Sequence, residues 1–132
     1  MKVMLDTNIL ISAFIFRSKK MDHLICELSK NHEIIICSYT IEELKELIKN
    51  KFNVSMKALN LFLRNFPYTL VQSPKKPKKD LFYIRDKEDY TILYTAIMED
   101  VDVFITGDKD FDDVEINNPE ILNPAKFIEK YL

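Results

Sequence analysis

A chain of 132 residues with 47% apolar content has the length and the core of one domain, and no Gly/Ser-rich linker divides it. Nineteen Lys and Arg against 21 Asp and Glu give a formal charge of −2, which excludes a protein that holds nucleic acid by net charge alone. A single glycine excludes the Gly-rich phosphate loops of nucleotide and dinucleotide enzymes. Cys26 and Cys37 stand in apolar surroundings without metal-ligand spacing and read as buried, reduced thiols. Asp6 and Asn8 interrupt what would be the apolar segment of a signal peptide. The apolar stretch from Ile9 to Phe16 is far short of the ~20 residues that span a bilayer, so no membrane association and a cytoplasmic location are expected.

Lys2 to Leu5 reads as a short buried strand ended by Asp6, after which Thr7 or Asn8 caps a helix carrying Ile9, Leu10, Ala13 and Phe14. A second helix follows from about Lys19 to Lys30, with Met21, Leu24, Ile25 and Leu28 on one face. The β-branched run Ile34-Ile35-Ile36 marks a strand from Glu33 to Cys37. Tyr39 to Asn50 repeats its apolar residues at helical spacing, and Ser55 caps a further helix with Ala58, Leu59, Phe62 and Leu63. Tyr68 to Val71 is a third strand. Gln72 to Lys79, with two prolines and four lysines, is a loop. Asp86 or Lys87 starts a helix with Ile92, Leu93, Ala96 and Ile97 inward, Asp102 to Thr106 is a fourth strand turned by Gly107, and Glu115 to Leu122 holds a weak fifth. Pro124 fits the first turn of a terminal helix. Alternating strands and helices predict an α/β fold with right-handed crossovers and a mostly parallel sheet of four or five strands, covered on both faces.

In such a fold, residues just past the carboxyl ends of the strands meet along one edge, where ligands bind. Asp6, Glu43, Asp89 and Asp108 fall at such positions. Carboxylates gathered in one cleft repel one another unless a cation neutralises them, and hard oxygen ligands suit Mg²⁺ or Mn²⁺. Each acid also has a plain structural reading. Asp6 is a competent helix cap. Glu43 completes a capping box with Thr40. Either Asp86 or Asp89 serves the start of its helix, and Asp89 is favoured for chemistry because it leads into the apolar face. Asp108 suits a turn, in a stretch that Asp110, Asp112 and Asp113 make strongly acidic. Thr7 and Asn8 are expected to hold Asp6 in place, and Thr106 to orient a carboxylate or a water.

Val3-Met4-Leu5-Asp6-Thr7-Asn8-Ile9-Leu10, Glu43-Leu44, Arg85-Asp86…Asp89 with Ala96 beyond, and Ile105-Thr106-Gly107-Asp108-Lys109-Asp110-Phe111 together resemble the PIN-domain family, over essentially the whole chain. The resemblance is greatest to small prokaryotic members that act as toxins of toxin–antitoxin pairs. It implies a three-layer α/β/α sandwich and a metal-dependent ribonuclease whose acids match Asp6, Glu43, Asp89 and Asp108, with Asp110 at a further position. One departure is Phe16-Arg17-Ser18-Lys19-Lys20, where many relatives carry small, glycine-bearing sequence. The expected site has Asp6, Asp89 and Asp108 on one or two Mg²⁺ or Mn²⁺ ions, completed by Glu43 and Asp110 directly or through water. Arg17, Lys19, Lys20 and Lys109 are the expected RNA contacts, and Lys75-Lys76-Pro77-Lys78-Lys79 is either a solvated loop or a further one. His23 and His32 are not placed as bases. An antitoxin or a second copy of the chain is an expected partner; the faces bearing Leu24, Leu28, Leu59 and Phe62 suit one, or simply the core. The competing readings are a non-catalytic RNA- or protein-binding module and a phosphatase of small substrates.

Overall fold

The computed structural model describes residues 1–132. Strands β1 (Lys2–Leu5), β2 (Glu33–Cys37), β3 (Thr69–Val71), β4 (Val103–Ile105) and β5 (Glu120–Leu122) form one sheet in the order β3-β2-β1-β4-β5. Every pairing is parallel, with Met4 beside both Ile35 and Phe104. The expected sheet is therefore present in its five-stranded form, and it is parallel throughout. The fifth strand occupies only the last three residues of the segment predicted for it.

Six helices connect and cover the strands: α1 (Thr7–Phe14), α2 (Lys19–Asn31), α3 (Ser38–Lys51), α4 (Met56–Asn65), α5 (Lys87–Met98) and α6 (Pro124–Tyr131). The period-2 alternation of strand side chains sorts the core into two faces. Val3, Leu5, Ile34, Ile36, Val103 and Ile105 point to one face, where α1, α2, α3, α4 and α6 bury Leu10, Leu24, Ile48, Leu59 and Phe127. Met4, Ile35, Cys37 and Phe104 point to the other, against Ile92, Leu93 and Ala96 of α5 and against Phe111. The sandwich is thus unequal, with five helices on one side and essentially one on the other. Leu24, Leu28 and Leu59 are fully buried and Phe62 packs against them, so these residues serve the core and not a partner. Burying each such leucine contributes about 1.5–3 kcal/mol.

Short polar side chains start the helices. Ser18, Ser55 and Asn123 accept from the backbone N–H three residues on, at 3.1, 3.1 and 2.8 Å. Three expectations change at this level. The first helix is capped by Asp6 itself, whose Oδ1 accepts from the Ile9 N–H at 3.0 Å, and not by Thr7 or Asn8. The helix start at Ser38, with Cys37 as its cap residue, places Thr40 inside α3. The Thr40–Glu43 capping box therefore does not form; the Thr40 hydroxyl lies 3.2 Å from the Cys37 sulfur, and Glu43 is free to face elsewhere. Cys26 is exposed on α2, while Cys37 is buried as expected. No helix is long and apolar enough to cross a membrane.

Candidate metal centre

The chain leaves β1 toward β2 and β3 on one side and returns to β4 on the other, so the strand order reverses between β1 and β4. The carboxyl ends of these two strands form the crevice where open parallel sheets bind ligands. Hydrogen bonds join the two ends. The Asp6 N–H donates to the Ile105 carbonyl at 3.2 Å. The Thr106 hydroxyl donates to Asp6 Oδ2 and accepts from the Asp108 N–H at 3.0 Å. Asp108 Oδ1 in turn accepts from the Asp110 N–H at 2.9 Å and caps a short 3₁₀ turn over Lys109–Phe111. Thr106 thus fixes the Asp6 carboxylate and the Asp108 backbone together, close to the role expected of it.

Asp89 reaches this crevice from the first turn of α5. Asp86 is the cap of that helix, with Oδ1 accepting from the Glu88 and Asp89 N–H groups at 2.7 and 3.4 Å, which leaves the Asp89 carboxylate without a capping duty. Carboxylate oxygens of Asp89, Asp108 and Asp110 lie within 4.8 Å of one another. All three are among the four acids expected at the metal, Asp6, Asp89, Asp108 and Asp110. Asp6 is buried, with one oxygen in the α1 cap and the other on the Thr106 hydroxyl.

Proton affinities show how crowded the negative charge is. Burial, with help from Asp108 and Glu43, lifts the Asp6 carboxyl from 3.8 to about 6, against the pull of its Thr106 and Ile9 hydrogen bonds. Burial, then Asp86, Asp108, Glu43 and Asp110, lifts Asp89 from 3.8 to about 7. Glu43 accepts from the Thr7 hydroxyl, which is how the buried Thr7 serves the site. Burial raises the Glu43 carboxyl above its usual range, opposed by Thr7 and reinforced by Glu88. Tyr39 borders the same group: burial, then Glu88, Glu43 and Asp86, push its phenol up to about 12.

The near cation is Arg85, whose Nη2 lies 3.1 Å from Asp110 Oδ2. Its side chain is 80% exposed, so it offsets the trio's charge only weakly. Sequence reasoning assigned no role to Arg85, Glu88 or Tyr39. Their one signal was a helix start with three acids, Asp86, Glu88 and Asp89, where a cap and a favourable dipole need only one or two.

The other expected residues are exposed. Asn8 is exposed on the first turn of α1. Lys109 is exposed between Asp108 and Asp110. Helix α1 carries the chain about 12 Å along its axis before Arg17, Lys19 and Lys20 are reached. Arg17 pairs with Asp22 at 3.6 Å beside Phe14 and Phe62, and Lys19 and Lys20 open α2. His32 touches the chain's amino terminus at 3.2 Å beside the start of β2, at the opposite edge of the sheet, and His23 is exposed on α2. Neither histidine belongs to the crevice.

The donor set fits a small hard divalent cation: three carboxylates converge, with one exposed guanidinium as their counter-charge. A transition metal that prefers sulfur or imidazole finds no ligand there.

Comparisons with known proteins agree with the fold. No curated protein sequence matches the chain. Among solved structures, VapBC2 from Rickettsia felis, bound to a DNA fragment from their promoter, is similar in fold, with a TM-score of 0.71 at 23% identity over 93% of this chain and 98% of the other. The model of the PIN domain matches residues 2–110, a span that includes the crevice acids. The chain belongs to the PIN-domain family.

Proposed function

We propose that this protein is a metal-dependent endoribonuclease that hydrolyses RNA phosphodiester bonds in the cytoplasm and serves as the toxin of a toxin–antitoxin pair. The observation that carries the reading is the convergence of Asp89, Asp108 and Asp110 within 4.8 Å at the point where the strand order reverses. These three would hold a Mg²⁺ or Mn²⁺ ion. Asp6 and Glu43 add negative charge beside them, the first fixed by Thr106 and the second by Thr7. A bound ion supplies Lewis acidity, activating water as the nucleophile and offsetting the charge that builds on the phosphate. Glu43, outside the trio and held by the Thr7 hydroxyl, is the carboxylate left free to accept a proton there. Arg85 and Lys109, both exposed beside Asp110, lie where a scissile phosphate and its neighbour would pass. The likeness to VapBC2 of Rickettsia felis, together with the motifs themselves, supports an antitoxin as the protein partner.

The test is direct. Purified protein is given a single-stranded oligoribonucleotide and, separately, a mononucleotide. Internal cleavage of the RNA with Mg²⁺ or Mn²⁺, stopped by EDTA, is the expected result. RNA bound but uncut points to a non-catalytic module. Release of phosphate from the mononucleotide alone points to a phosphatase.

A further inference from the structure

Residues 75–87 concentrate positive charge. The segment holds six basic residues and two acidic ones, in a protein whose net charge is −2. A run of this kind is ordinarily a solvated loop without walls. Here it is built. The Tyr90 hydroxyl donates to the Lys78 carbonyl and lies 3.3 Å from the Leu81 N–H, which it accepts, so one side chain of α5 pins both limbs of the loop. Asp80 turns the chain at a φ of 66°, in the left-handed region. The Phe82 ring stacks on Tyr90 at 4.4 Å and 19°, which fixes the floor. The result is a cleft of about 710 Å³, with Lys76, Lys79 and Lys87 among the residues that line it. Tyr83, also in its lining, is 82% exposed, the most exposed large hydrophobic side chain of the molecule.

We propose that this cleft binds a segment of single-stranded RNA, with a nucleobase stacked on Tyr83 and the flanking phosphates held by Lys76, Lys79 and Lys87. The proposal deepens the ribonuclease reading and rests on it for the identity of the strand. A flat exposed ring among cations is the arrangement that single-strand binders use, because every base has a π-face and every nucleotide a charge. The volume suits one nucleotide and leaves the strand open at both ends. Cleft and crevice share one helix: Lys87, in the cleft wall, and Asp89 both stand on the first turn of α5. An acidic protein segment would satisfy the lysines but give Tyr83 no flat partner. A nucleic-acid strand, by contrast, offers both a flat base for Tyr83 and phosphates for the lysines. The chain is acidic overall, so this local field is what makes an acidic protein able to approach RNA.

The test measures binding in EDTA, so that no strand is cut, by fluorescence anisotropy of a labelled oligoribonucleotide. Tyr83→Ala is expected to weaken binding by about 5- to 100-fold, the range for loss of one stacked base. Lys76→Gln and Lys79→Gln are each expected to weaken it and to lower the slope of log affinity against log salt by about 0.7. Lys57→Gln, on α4 across the sheet from α5, controls for general loss of charge and should leave that slope unchanged. All four positions lie on the surface, and an unchanged melting temperature verifies that each variant folds. The parent should bind a strand made abasic at its centre as poorly as Tyr83→Ala binds the intact RNA. Parent-like binding by Tyr83→Ala and both lysine variants overturns the proposal. So does equal binding of intact and abasic strands by the parent. If binding maps to the cleft but metal supports no cleavage, the cleft stands and the ribonuclease reading falls. If the RNA is cut while these variants bind normally, the reverse holds.

Discussion

Asp108→Asn is expected to lower metal-dependent RNA cleavage by a hundredfold or more while leaving the protein at least as stable in EDTA. The two halves have one cause. Asp108 is one of the three carboxylates that converge, and removing a ligand charge forfeits several kcal/mol of the stabilisation that a bound ion gives the developing phosphate charge. An amide oxygen still accepts from the Asp110 N–H, so the cap of the 3₁₀ turn survives. At the same time the substitution removes a negative neighbour that raises the proton affinities of both Asp6 and Asp89. Cleavage of purified variant and parent under identical Mn²⁺, with thermal melts in EDTA at pH 7.5, measures both effects. Parent-like cleavage by the variant would assign the activity to another site or to a contaminant. A large fall in melting temperature would mean that Asp108 is structural first.

Stability is the second large effect, and bound metal offsets its pH dependence. The folded Asp6 carboxyl titrates at about 6 against an ordinary 3.8. Between those values the folded chain holds a proton that the unfolded chain has released. The stabilisation from this group is therefore complete below about 3.8 and is lost as pH rises through about 6. For Asp6 the loss is about 3 kcal/mol by neutral pH. Asp89 acts in the same direction up to about 7, but it is only half buried and solvent screens much of its share. In EDTA the melting temperature should thus fall between pH 5 and pH 8. Saturating Mn²⁺ binds the ionised carboxylates and stabilises by mass action, about 2.7 kcal/mol at a hundred times its dissociation constant, a rise on the order of 10 °C. That rise should be present at pH 8 and absent at pH 5. Equal shifts at both pH values would place the ion away from these acids.

How much of this was legible in the residues differs by level. The β-branched run at Ile34-Ile35-Ile36, the apolar run Val3-Met4-Leu5 and the spaced apolar residues of α2, α3 and α4 report burial directly, so the order and type of the elements could be read. The strand ends followed from them, and with them Asp6 and Asp108; Asp89 stands instead on the first turn of α5, well beyond the end of β3. Thr40-Ile41-Glu42-Glu43 misled, because a capping box needs a helix that begins at Thr40, and burial of Cys37 and Thr40 pulls the first turn two residues earlier. Thr7 was taken for a cap because its type suits one; its hydroxyl instead meets Glu43, 36 positions away, a pairing that no local pattern encodes. That Asp6 stands outside the convergent trio has the same origin: the carboxylate that caps a helix is turned inward by that duty. Lys75 to Lys79 looked like a solvated run because nothing in the sequence announces that Tyr90, 12 positions beyond Lys78, pins the loop into a cleft.

Anomalous diffraction from crystals soaked in Mn²⁺ tests the central idea most directly. The geometry calls for a peak bounded by the carboxylates at positions 89, 108 and 110, and for its disappearance in crystals of Asp108→Asn. A map with no peak in that crevice at saturating Mn²⁺, or with its strongest peak on a different surface, would contradict it.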